Sequence, residues 1–221
     1  MPNRREIESI SVQRSIIGER KSPEHRYQEM HERVATFTDK LGTPIDPGIF
    51  ETVVALNLLG LHTLQSCEGH FDHGCPYPWV TICDDERSRT FNRMWLSVCA
   101  LAEQAKASRT ALAYDCYLSA DIELRAHLAR WEADDLVFGQ ITDLLDVFYA
   151  EQERQTHPAR LLVRRFHPGT YRIEPGFSLV GKELPDDLKA TYLARGQAEM
   201  QAFTSSLKRQ WQQSLSLEEQ P

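Results

Sequence analysis

Between Cys67 and Cys75 the chain reads CEGHFDHGC, so nine residues carry two thiols, two imidazoles and two carboxylates. Thiolate and imidazole are the side chains that zinc prefers, and a thiol beside an imidazole is also the pair from which a cysteine nucleophile is built. Residue type alone leaves three readings open. In the first, Cys67, His70, His73 and Cys75 bind a metal, with zinc the expected ion. Four ligands from nine residues would crowd a tetrahedral centre, so two or three of them joined by a distant His62 or His167 are easier to build. In the second, Cys67, Glu68 and His70 are catalytic. Cys67 is then a thiol with a lowered pKa, the most reactive of the five cysteines, and Gly69 lets the backbone approach a bound small molecule or nucleotide-like substrate. In the third, the cysteines are small buried hydrophobes, the histidines bond to loop backbone, and the chain is a non-catalytic interaction protein.

The elements on either side must hold this loop. In GTPIDPGIFETVVALNLLGL, Asp46 is placed to cap a helix and Pro47 sits in its first turn. Gly60 ends that helix in the left-handed conformation, with Leu61 packing back near Leu56. A short strand over Leu61–Gln65 then leads into the cluster, and Trp79–Ile82 form a second strand beyond it. Pro76 and Pro78 keep the connection out of helix. Asn57 interrupts the apolar helix, where a buried amide needs partners that the nearby loop could supply.

The segment IDPGIFETVVALNLLGLHTLQSCEGH resembles one found in uncharacterised bacterial and phage proteins. It is also similar, more distantly, to the N-terminal motif of the tRNA wybutosine-synthesising methyltransferase family. In that family a helix patterned D..I...V..N leads into a strand ending in T.SSCSGR. The matching positions are Asp46, Ile49, Asn57, Thr63, Ser66, Cys67 and Gly69. Gln65 replaces the first serine, His70 stands in place of the arginine, and the match ends near residue 82. The resemblance implies a helix, a strand and a Ser-Cys-x-Gly turn, and Asn57, Ser66 and Gly69, which lie in or beside that turn, are the candidate ligand-binding positions.

A second group of cations, Arg164, Arg165, His167 and Arg172, gathers around the turn HPGT. In a strand over Leu161–Phe166, Arg165 shares a face with Leu161 and Val163, and an inward arginine needs an acidic partner. Glu68 or Asp72 is the expected partner, which would bring Arg165 and His167 into the same ligand-binding pocket as the cluster. The alternative is a sheet edge guarded by charge.

Periodicity places further helices over Pro23–Leu41, Glu86–Lys106, Ala120–Trp131, Asp134–Gln152 and Pro185–Ser214, and a three-stranded meander over LLVRRFHPGTYRIEPGFSLVG. The expected fold class is α+β: a small mixed sheet of about five strands flanked by helices, with a long C-terminal helix. Residues 1–22 form a polar arm and 23–221 a single domain. With 221 residues, 41% hydrophobic and 26% charged, the composition is that of an ordinary globular chain. No apolar run is long enough to span a bilayer, so no membrane partner is expected. Five cysteines, an odd number, suit a reducing cytoplasm better than a disulfide framework. A net charge of -7 argues against broad nucleic-acid binding. An unidentified small-molecule ligand and self-association into a homo-oligomer are compatible with all of this.

Overall fold

The structure is a computed structural model that describes residues 22–151, 157–180 and 183–218. The polar arm expected over residues 1–22 therefore lies outside the described residues except for Ser22, whose hydroxyl accepts from His25 N–H and caps the first helix. That helix, α1, spans Pro23–Ala35, shorter than its periodicity predicts, because the chain leaves it for a loop that folds back through a Thr38–Pro44 bridge.

The next helix, α2 (Pro47–Leu58), is apolar around most of its circumference, and Ile49, Val53, Val54 and Leu56 are fully buried. Gly60, at φ +80°, closes it as the sequence predicts: Leu61 N–H bonds Leu56 C=O at 2.9 Å and Gly60 N–H bonds Asn57 C=O at 3.0 Å. The chain then enters β1 (Thr63–Cys67), two residues later than expected, and returns as β2 (Trp79–Cys83). Asn57 joins the two elements. Its Nδ2 donates to Val53 C=O and to Thr63 Oγ1, both at 2.8 Å, so the amide finds its partners in the helix and the strand, not in the cluster loop.

Helices α3 (Asp85–Ser108) and α4 (Ala111–Ala133) form a hairpin, followed by α5 (Leu136–Ala150). Helix α4 begins nine residues before the expected Ala120, because Thr110 caps it through a bond from Ala113 N–H. Strands β3 (Leu161–His167) and β4 (Thr170–Pro175) meet at Gly169, whose φ is +74°. The expected third strand of this meander is instead a 3-10 turn over Gly176–Leu179. Helix α6 (Asp186–Glu218) closes the described chain.

The fold is α+β with a long C-terminal helix, but the sheet has four strands in the order β1-β2-β4-β3, all antiparallel, where a mixed sheet of about five was expected. Strands β2 and β3 run in the same direction and are joined by a crossover through α3, α4 and α5, but β4 inserts between them, so every hydrogen-bonded pair is antiparallel. One sheet face, carrying Val80, Ile82, Tyr171 and Ile173, packs with α2, α5 and α6 into a core centred on Phe148, Met200, Phe203 and Leu207. Two threonines tie α2 to α6, Thr52 Oγ1 to Thr204 Oγ1 at 2.6 Å. Among the described residues no helix is long and apolar enough to cross a membrane.

The Asn57 link predicts a stability effect. Asn57→Ala removes two bonds and leaves Thr63 Oγ1 without its donor, so urea unfolding should lose about 1–2 kcal/mol at an unchanged m-value.

Candidate metal centre

Asp46 occupies the N-cap position of α2, yet its side chain does not cap the helix. Its Oδ2 instead accepts from Glu68 N–H at 3.1 Å and meets His70 Nε2 at 3.2 Å. The cap is supplied from the other end of the junction: Glu68 Oε2 accepts from Gly48 N–H, the second residue of the helix, at 2.6 Å. Gly48 makes room for this, since a Cβ there would stand 2.6 Å from the same carboxylate oxygen. The two acids have thus exchanged tasks, and the exchange carries Asp46 into the loop.

At Gly69 the chain turns through φ +85°. A Cβ at this position would lie 2.7 Å from both Leu193 Cδ1 and the Tyr77 carbonyl carbon, so only glycine fits. Gln197 of α6 holds the same turn from outside, donating to the carbonyls of Glu68 at 3.1 Å and Gly69 at 3.4 Å. His70 N–H bonds Cys75 C=O at 3.0 Å and closes the loop on itself. Cys67 pairs directly with Trp79 across β1 and β2, so the two side chains leave the same face of the sheet.

These constraints bring one ligand atom each of Asp46, Cys67 and His70 within 4.8 Å of one another. The wider set of Cys67, His70, His73 and Cys75 does not converge. His73 stacks its ring on His70, centroids 4.2 Å apart, and turns Nδ1 to exposed Asp72 at 2.7 Å. That bond holds the Asp72 carboxyl below its ordinary range. Cys75 lies nearer Tyr77, whose hydroxyl is pushed up to about 12 by burial and then by the thiol. Glu68 keeps one carboxylate oxygen at the helix terminus, on Gly48 N–H. Burial pushes the Cys67 thiol above its ordinary value. Gly69 N–H, 3.3 Å from the sulfur, works the other way, while the Asp46 carboxylate adds to the rise. A lowered thiol pKa, which the nucleophile reading needs, is therefore not what this environment provides.

Asp46 and Cys67 open onto a cleft of about 930 Å³ between β1 and the Phe37–Ile45 loop. Ser66, Gln65 and Trp79 line it. The Trp79 indole N–H is buried with no hydrogen-bond partner, and the Arg172 guanidinium covers its ring at 4.1 Å.

Arg165 and His167 are elsewhere. Strand β3 is the edge opposite β1, three strand spacings away, about 14 Å. Arg165 does have the acidic partner that its position demands, but it is Asp135, at 3.1 Å, with Phe138 under the guanidinium at 3.8 Å. His167 stacks on Phe91. Both line a separate cavity of about 230 Å³ with Arg87 and Trp131, so the pocket expected to join them to the cluster is not formed. Sequence reasoning missed Asp46 as a member of this group because its place before Pro47 reads as a cap. It missed Gln197 because nothing local marks one glutamine on a long helix.

The thiol environment predicts a labelling order. In metal-free protein at neutral pH, iodoacetamide should modify Cys67 more slowly than exposed Cys116, read by peptide mass spectrometry over time; the reverse order would mean that the thiolate is stabilised. Comparison of the chain with protein-family models, with curated proteins and with solved structures finds no match.

Proposed function

We propose that the chain is a metal-binding protein in which Asp46, Cys67 and His70 hold zinc, with the fourth coordination position open to the cleft for a small-molecule or nucleotide-like substrate. The observation that carries this reading is the convergence of three different donor types within 4.8 Å. Zinc bonds of about 2.0–2.3 Å in a tetrahedron set the ligand atoms about 3.3–3.7 Å apart, and the 3.2 Å between His70 Nε2 and Asp46 Oδ2 is close to that spacing. Structural zinc sites close with four protein ligands, whereas three ligands and an open position are the arrangement of catalytic ones. A cleft of about 930 Å³ beside the open side is ample for a small ligand. Bound there, the ion would acidify a water molecule or polarise a substrate oxygen. The chain's own part is to fix the ligands: Glu68 N–H orients the Asp46 carboxylate, and Gln197 fixes the turn that delivers His70.

The competing reading, a Cys67 nucleophile with His70 as base and Asp46 as orienting group, needs the imidazole between the other two, with its two nitrogens reaching opposite partners. Here the carboxylate, the thiol and the ring nitrogen form a triangle. A triangle surrounds a point, which suits an ion better than a relay.

Protein purified without a histidine tag should carry one zinc per chain by elemental analysis. Asp46→Asn, Cys67→Ser and His70→Ala should each weaken zinc binding beyond the roughly 10–100-fold that loss of an outer-shell partner costs. His73→Ala should leave the stoichiometry unchanged. A chain that neither carries nor takes up zinc, or one in which His73→Ala matches His70→Ala, would contradict the proposal.

A further inference from the structure

Helix α4 has two apolar faces, and the described residues cover one. Ala113, Tyr117, Ala120, Leu124 and Trp131 turn towards α3, where Val98 and Ala105 are buried. The second row, Ala111, Tyr114, Leu118, Ile122, Ala126 and Ala129, recurs at three or four residues on the opposite side and is exposed throughout. Ile122 is 66% and Leu118 50% accessible. The hairpin is seated on the body at its base, where Arg87 bonds the carbonyls of Trp131 and Asp134 and Phe91 stacks on His167. Beyond that base each of its helices has the other as its main neighbour.

We propose that this outer face of α4 is a homodimer interface, in which two copies of the helix pack antiparallel about a two-fold axis at residue 120. The row is self-complementary about that point. Reversal pairs Leu118 with Ile122, sets Tyr114 against the small Ala126, and brings Ala111 onto Ala129. It also places Asp115 opposite Arg125 at both ends of the apolar centre, with both residues exposed. Arg125 already bonds Asp121 of its own helix at 2.7 Å, so it would bridge two acids in the dimer. A parallel pairing would put Asp115 on Asp115 and Arg125 on Arg125, so charge selects the antiparallel arrangement. One helix face of this length is about 36 Å by 10 Å, about 360 Å², under half of the roughly 800 Å² per partner of a standard interface, so the dimer is a weak, concentration-dependent one.

The mass given by sedimentation velocity of the full chain, followed from tens to several hundred micromolar, should rise from the 25.4 kDa chain mass towards twice that value. Leu118→Glu, at an exposed site that the fold does not need, should raise the dimer dissociation constant at least about tenfold with an unchanged circular dichroism spectrum. Asp115→Arg and Arg125→Asp should each weaken self-association, and mixing the two variants should restore dimers, because both cross-axis pairs are then opposite in charge. A monomer throughout this range, or a dimer indifferent to Leu118→Glu, would overturn the interface. Failure of the mixture to recover would overturn its antiparallel register.

Discussion

The site rests on an exchange of duties between two carboxylates at the start of α2. Asp46 stands where a helix cap belongs but gives its oxygen to the loop, while Glu68 reaches back from the loop and caps the helix at Gly48. A helix N-terminus has orphan N–H groups and a partial positive charge, so an acid there is favourable whichever segment supplies it. The exchange satisfies the helix, anchors the loop to it at two points, and leaves Asp46 beside the thiol and imidazole. Each later feature depends on that anchoring. The left-handed turn at Gly69 packs against Leu193 and Tyr77, and Gln197 fixes its carbonyls, so α6 braces from one side what α2 holds from the other.

Much of this was legible in the sequence. The turn from α2 into β1 was readable because Pro47, Gly60 and Leu61 each act within a few residues, and the structure reproduces those bonds. The loop was recognised from its residue types. The three side chains that converge were not, because a nine-residue segment says nothing of a carboxylate 21 positions before it that enters only through a tertiary contact. His73 and Cys75 have the right chemistry in the sequence, but neither joins the converging group: His73 turns its Nδ1 to Asp72, and Cys75 meets the Tyr77 hydroxyl.

Arg165 shows the same limit differently. That an arginine on the inward rhythm of a strand must find an acid is local physics, and Asp135 is there to meet it. Which acid it finds depends on strand order, and the order β1-β2-β4-β3 puts β3 at the far edge from the loop. The sheet was expected to be larger because EPGF reads as a turn between strands, whereas Gly176 begins a 3-10 turn beneath α6. The hairpin of α3 and α4 was read as ordinary amphipathic helices; its second apolar face became visible only once the first was seen to be filled.

The central claim is that one thiolate, one imidazole and one carboxylate surround a single ion. Zinc K-edge X-ray absorption on the tag-free protein counts those ligands directly. The account predicts one sulfur at about 2.3 Å with nitrogen and oxygen neighbours at about 2.0–2.2 Å. Two sulfur neighbours, which would bring in Cys75, or none at all would contradict it.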